Sequence, residues 1–433
     1  MSLEYAHGAV QWLAADGVST NYTVSGLSFQ PKAIRFYWMG IQSAADALTD
    51  AANLRRGIGF AVSTSSRRCV GSFAQDMALE ANCGTVARDD AVACTTDGAG
   101  GSDGMLDITA FNSDGFTLTV DDATPANLTI FWEAWGGSDI TVAVVGDIAE
   151  PAATGNQDYA VTGFVAGAGD QVVMLAGVQS VAALNTGEAN DSGLFVGFAS
   201  GAGAANVVII GNSDDLSVTM DTDSYGRGDE CLGMIVIGGG SAVNARAALT
   251  QFGTDNFRLN WAARATTARR SIFMAIKGGS WHVGDYTIAG NTGSATATVS
   301  GLSFAPKGIS LIGVLKAEHA SNAAGTEDRM SLGSGSSPSS RRSMGMLDEV
   351  GNAICEIDLI LEYDSVLCFT SNGTTVASAY DINAMNSDGF KIIVDTAGGV
   401  ASEWHGYLTF GDALAGAAEA VIHQAVYHGL EIR

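Results

Sequence analysis

The sequence predicts an all-β protein made of three tandem antiparallel β-sandwiches of jelly-roll type, and three observations carry that prediction. The stretch Asn112-Ser113-Asp114-Gly115-Phe116-Thr117-Leu118-Thr119-Val120 returns as Asn386-Ser387-Asp388-Gly389-Phe390-Lys391-Ile392-Ile393-Val394, with a diverged copy, Gly253-Thr254-Asp255-Asn256-Phe257-Arg258-Leu259-Asn260-Trp261, between them. A second marker, Val24-Ser25-Gly26-Leu27-Ser28-Phe29, recurs as Val299-Ser300-Gly301-Leu302-Ser303-Phe304 and as Val161-Thr162-Gly163-Phe164. Gly26 to Gly163 is 137 residues and Gly163 to Gly301 is 138, a period of domain size and far too long for a solenoid coil. Within each period, short runs of alternating apolar residues are separated by turn residues, with no helical pattern, which excludes alternating parallel α/β folds.

The predicted units are 4–138, 139–280 and 281–413, followed by a tail, 414–433. In the first marker a polar turn precedes apolar residues at alternate positions, the period of a strand with one buried face. Asn256 stands where the other copies have glycine, which is expected if that position needs a left-handed backbone.

Each unit repeats one order of elements. Unit one opens with Ala9 to Leu13 and Asn21 to Val24, then the Gly-Leu-Ser-Phe turn and a strand from Ala33 to Met39, where Ile34, Phe36 and Trp38 share one face and Arg35, Tyr37 and Met39 the other. Gly57 to Val62 follows, with counterparts at Leu194 to Phe198 and Arg329 to Leu332. Then come the step Arg67-Arg68, a cysteine-bearing hairpin, Met105 to Ala110, the Asp-Gly-Phe strand and a closing strand, Leu128 to Trp135. That makes eight or nine strands per unit. The segments Asp139 to Glu150 and Ser280 to Gly290 join the units with hardly any linker, so the units should abut. In the tail, Ala418, Val421, Ile422, Ala425, Val426 and Leu430 recur at helical spacing, which predicts a short C-terminal helix.

The composition narrows function. Twenty-one basic against 46 acidic residues give a net charge of −25, which opposes binding to nucleic acid and to anionic membranes. No apolar run is long enough to cross a bilayer, and no secretion signal opens the chain, although Met1-Ser2-Leu3 has the form of a cloning remnant. Cys94, Cys231 and Cys368 are each 137 apart, one equivalent strand position best explained by a small core side chain. Cys83 with Cys94 and Cys355 with Cys368 have hairpin spacing for disulfides, but the middle unit places Met220 opposite Cys231.

No nucleophile elbow, phosphate loop or metal-binding histidine motif is present, and no cofactor is expected. Asp221 to Gly226 begins like a calcium loop, yet Tyr225 and Leu232 fall where oxygen ligands belong. Arg67-Arg68 is matched by Arg341-Arg342 but by Ala204-Ala205 in the middle unit. Such a step either grips a carboxylate, phosphate or acidic sugar by forked hydrogen bonds, or forms salt bridges to the same unit's acids. If Ile130, Trp132 and Ala134 face the core, then Phe131 and Trp135 face outward beside Tyr37. That row is either a sugar-stacking platform or a surface covered by a neighbouring unit or subunit.

Phe29-Gln30-Pro31-Lys32 and Phe304-Ala305-Pro306-Lys307 before a hydrophobic strand, the late Asp-Gly-Phe strand, and the closing Trp132-Glu133-Ala134-Trp135-Gly136 together resemble the H-type lectin domain. They also resemble repeated β-domains of bacteriophage tail and fibre proteins. The resemblance covers the two ends of each unit and skips the middle, where a long insertion carries the Arg-Arg and cysteine hairpins, so it places none of the family's sugar-contacting residues on this sequence. It implies sandwiches assembled around a threefold, with glycan binding. The expected protein is a non-enzymatic virion structural or receptor-binding component, located in the virion or extracellularly, whose partners are other virion proteins or itself and a cell-surface glycan. The alternatives are a free lectin and, behind it, a glycan-degrading enzyme. Three fused units are expected to pack around a pseudo-threefold axis, with a linear rod as the competing arrangement.

Overall fold

The computed structural model describes residues 2–51, 53–75, 82–167, 169–179, 181–189, 191–213, 222–236, 242–265, 269–318, 328–348, 357–372 and 375–412. The predicted helix in 414–433 and Cys355 lie outside these residues.

The described chain is all-β, without helices, and forms six antiparallel sheets. In the first period the strands are β1 (Glu4–Trp12), β2 (Asn21–Val24), β3 (Pro31–Met39), β4 (Ala47–Asp50), β5 (Asn53–Ala61), β6 (Arg67–Gln75), β7 (Cys83–Arg88), β8 (Ala93–Thr96), β9 (Ser102–Asn112), β10 (Gly115–Asp122) and β11 (Leu128–Gly136). The second period holds β12 (Val142–Ala149), β13 (Gly155–Ala160), β14 (Gln171–Val178), β15 (Thr186–Ala189), β16 (Asp191–Gly201), β17 (Ala204–Ser213), β18 (Thr222–Arg227), β19 (Leu232–Val236), β20 (Ala242–Gly253), β21 (Asn256–Ala263) and β22 (Arg270–Lys277). The third holds β23 (Ser280–Ile288), β24 (Thr296–Val299), β25 (Pro306–Gly313), β26 (Asp328–Ser337), β27 (Ser340–Asp348), β28 (Ile357–Glu362), β29 (Leu367–Ser371), β30 (Thr375–Asn386), β31 (Gly389–Thr396) and β32 (Glu403–Gly411). Each period thus has ten or eleven strands rather than eight or nine, because the mid-unit loops contain short strands of low apolar content.

Each period pairs a long sheet with a four-stranded one. The long sheets run β1-β11-β3-β5-β6-β7-β15, β12-β22-β14-β16-β17-β18 and β23-β32-β25-β26-β27-β28-β4; the short ones run β2-β10-β9-β8, β13-β21-β20-β19 and β24-β31-β30-β29. Two strands sit in a neighbour's sheet. β4 of unit one pairs with β28 of unit three (Thr49 opposite Leu359), and β15 of unit two pairs with β7 of unit one (Gly187 opposite Val86). Lending a strand covers a sheet edge that would otherwise present unpaired backbone groups.

An apolar cluster fills the space between the two sheets of each unit, and Phe116, Phe257 and Phe390, all fully buried, take part in the three clusters in turn. The two repeated markers clip each sandwich shut. The carboxylates of Asp114, Asp255 and Asp388 accept hydrogen bonds from the backbone N–H of Gly26 (3.1 Å), Gly163 (2.6 Å) and Gly301 (3.3 Å). Those three glycines have φ of 82°, 94° and 80°, which explains their retention in all copies.

Gly115 departs from expectation. Its φ of 159° is close to extended, and glycine is required there because a Cβ would lie 1.9 Å from the Val24 carbonyl oxygen; Gly389 meets Val299 at the same distance. In the middle copy the left-handed residue is Asp255 (φ 58°), not Asn256.

The outer face of every long sheet is buried as well. A fourth cluster joins Tyr37, Met39, Phe131 and Trp135 of unit one to Met174, Val196 and Phe198 of unit two and Ile312, Met330, Leu408 and Phe410 of unit three. Both faces of β3 are therefore covered, Ile34, Phe36 and Trp38 by the unit's own core and Tyr37 and Met39 by this shared one.

Hydrogen bonds cross all three seams: Tyr37 Oη to Ser334 Oγ (3.0 Å) between units one and three, Ser72 Oγ to Ser192 Oγ (2.8 Å) between one and two, and Ser224 Oγ to Asp328 Oδ1 (2.6 Å) between two and three. Cys69, Cys94, Cys231 and Cys368 are free thiols, and they and Cys83 are buried. The Cys83 to Cys94 pairing is not formed, because β7 and β8 belong to different sheets and the two thiols enter different clusters.

Candidate functional site

The arginine steps begin β6 and β27, strands of the long sheets, so alternation turns their two side chains to opposite faces. The first arginine of each step pairs with an acid of its own unit. Arg67 Nη2 donates to Asp107 Oδ2 (2.9 Å), and Arg341 grips Asp381 through Nε (3.1 Å) and Nη2 (2.9 Å). Burial nevertheless raises the Asp381 carboxyl to about 6, with Arg341 opposing the shift.

The second arginine reaches a neighbouring unit. Arg68 Nη2 lies 3.7 Å from Asp147 of β12. Arg342 Nε donates to His7 Nδ1 of β1 (3.0 Å), and its guanidinium lies over the rings of Phe131 (5.6 Å) and Tyr363 (5.8 Å). Burial, followed by the adjacent Arg342 charge, lowers the His7 pKa to about 3 and keeps the ring neutral, as an acceptor from Arg342 must be. In unit two the register places Ala205-Asn206, rather than Ala204-Ala205, at the arginine step, so Asn206 holds the second arginine's position and likewise spans a seam: its Nδ2 donates to the carbonyls of Gly284 (2.7 Å) and Tyr407 (2.9 Å).

Tyr37 and Trp135 are placed as a covered face, not as an exposed sugar-stacking platform. Both have no solvent exposure. Trp135 packs against Trp281 and Phe410 of unit three at centroid separations of 6.2 and 5.6 Å. The structure brings Tyr37, Trp135 and Arg342 to the seam of units one and three, and leaves Arg67, Arg68 and Arg341 apart from them.

At the centre of the shared cluster lies an ion pair that alternation alone did not single out. Arg35 and Glu133, adjacent on β3 and β11, pair with almost no exposure. Glu133 also accepts from Tyr5 Oη (2.9 Å) and from Ser310 Oγ of unit three, while the Arg35 guanidinium lies over Tyr37 (5.2 Å) and Phe198 of unit two (5.1 Å). The equivalent pairs in the other units are Met174 with Met274 and Ser310 with Leu408. The signal in the sequence was charge at positions where the sister repeats are uncharged.

A surface cleft of about 490 Å³ opens where units one and two meet. Half-buried Phe111 and Val142 provide its apolar wall, and Gln30, Lys32, Ser63, Thr64 and Thr141 its polar rim. Lys32 Nζ donates across it to the Ile140 carbonyl (2.8 Å), and Gln30 Nε2 to the Phe111 carbonyl (2.9 Å). This amphipathic rim suits a polyhydroxylated ligand better than an apolar one. Among the described residues, no group of three His, Cys, Asp or Glu side chains is placed to hold a metal ion. No protein-family model matches this chain, and no curated protein matches it.

Proposed function

We propose that this protein is a non-enzymatic structural or receptor-binding component of a phage-like particle, with three jelly-roll-like sandwiches, 4–138, 139–280 and 281–413, set around a pseudo-threefold axis within one chain. The observation that carries this reading is the exchange of strands. Unit one lends β4 to unit three and unit two lends β15 to unit one, around a core to which all three contribute. Such lending joins the units by backbone hydrogen bonds as well as side-chain packing, and a linear rod would not bring unit three against unit one. Rigid, mutually braced β-units suit a part that transmits load or presents a surface. The resemblance at the ends of each unit to phage fibre and H-type lectin domains supplies the particle context, by analogy only. The partners in this reading are other virion proteins or further copies of the chain, and a cell-surface glycan, with a virion or extracellular location.

The cleft beside Phe111 favours one second reading, a free carbohydrate-binding lectin. Mass spectrometry of purified particles, together with a glycan array of the isolated protein, separates the two. Presence in particles at fixed stoichiometry supports the first. Glycan binding lost in Phe111→Ala, with absence from particles, supports the second. Absence from particles without glycan binding overturns both. Solution scattering tests the architecture, since a closed ring is compact and a rod is about three domain diameters long.

A further inference from the structure

Unit three carries a buried polar cluster where unit one has an apolar core. Glu403, His405, Tyr380 and Tyr286 are at most 8% exposed. The register-equivalent residues are Leu128, Ile130, Leu106 and Val10 in unit one, all apolar, and Arg269, Ser271, Ala247 and Ile148 in unit two, where Arg269 is itself a buried charge. Unit one therefore builds this core without an ionisable group, and in unit three the stability argument runs against burying one.

The cluster is connected. Tyr380 Oη donates to Glu403 Oε2, His405 Nε2 lies 3.5 Å from that oxygen, and His405 Nδ1 is 3.2 Å from Tyr286 Oη. Glu403 Oε1 is buried without a hydrogen-bond partner. It presses against two glycines: a Cβ on Gly290 would lie 1.9 Å from it, and a Cβ on Gly399 1.6 Å. Gly398 and Gly399 form one wall of a cleft of about 430 Å³, so the carboxylate stands directly behind that wall. The other walls are aliphatic, from Leu315, Val376, Ala377 and Val400, and Arg329 lines the same cleft within electrostatic range of Glu403.

We propose that this cleft of unit three binds a small zwitterion with a branched aliphatic body, of the free amino-acid type. Its ammonium group donates to Glu403 Oε1 once the Gly398-Gly399 wall shifts aside, its carboxylate faces the Arg329 guanidinium, and its side chain packs against the aliphatic walls. A carboxylate and a guanidinium at one apolar cleft are complementary to opposite charges on a single small molecule. The glycine pair provides the backbone freedom the opening requires.

The test is calorimetric titration of the full chain with L-valine, isobutylamine and isobutyrate. L-valine should bind, and each single-charge probe should bind at least tenfold more weakly. Glu403→Gln should weaken L-valine at least tenfold. A second variant guards against misfolding: Glu403→Leu, His405→Ile, Tyr380→Leu and Tyr286→Val together install the core of unit one, and should abolish binding without lowering the melting temperature. No binding of L-valine, or equal binding by the folded variants, overturns the proposal.

Discussion

Replacing the central ion pair by its own counterpart in unit two tests whether it braces the three units. Arg35→Met leaves the Glu133 carboxylate buried with only the Tyr5 and Ser310 hydroxyls as donors, a loss of about 3 to 5 kcal/mol by analogy with other broken buried pairs. Glu133→Met strands the guanidinium between the rings of Tyr37 and Phe198, whose cation–π attraction offsets up to about 2 kcal/mol of a similar cost. The double variant removes both charges and recreates the Met174 and Met274 pair. Its remaining cost is the two orphaned hydroxyls, about 1 to 3 kcal/mol each. Adding Tyr5→Phe and Ser310→Ala removes those as well, and the fourfold variant should equal or exceed the parent in stability. The readout is the urea midpoint at pH 7 across the cycle, with a coupling of at least about 2 kcal/mol expected between the two charges. Additive single effects, within about 0.5 kcal/mol, would refute the idea that Arg35 and Glu133 act as one unit.

Phe390→Ala should destabilise the protein by about 3 to 5 kcal/mol in chemical denaturation, and an unchanged midpoint would contradict its place between the sheets of unit three. For His7, the folded ring titrates near 3 and the unfolded ring near 6.5, so the unfolded state binds more protons in that window and stability falls as pH drops through it. The slope is at most about 1.4 kcal/mol per pH unit, and roughly half that after allowing for the ring's partial exposure. Glu362, pushed up to about 7 by burial, acts in the opposite sense between pH 7 and 4.5, so the quantity to compare is the difference between parent and His7→Gln at pH 7 and 4.5. A thiol reagent should leave the buried Cys69, Cys83, Cys94, Cys231 and Cys368 unmodified in the folded protein and, by peptide mapping, label each of the six cysteines in guanidinium; an unlabelled pair there would mean a disulfide.

By itself the sequence determined whatever depends on neighbours along the chain. The all-β class, the triplicate, the core positions of Phe116, Phe257 and Phe390, and the alternation of β3 all follow from local pattern, because strand period and turn chemistry are properties of a few consecutive residues. Even there, close packing changed one reason: Gly115 is glycine because of the approaching Val24 carbonyl rather than a left-handed turn. Only the tertiary structure decided what lies on the far side of each sheet. Tyr37 and Trp135 have the alternation of exposed residues and no exposure, because a second apolar face is covered by units two and three. Arg67 and Arg68 are adjacent letters that part company, one to Asp107 in its own unit and the other across a seam to Asp147. The cluster around Glu403 joins residues 286, 380, 403 and 405. Their proximity depends on sheet register over more than a hundred residues, which no local spacing encodes.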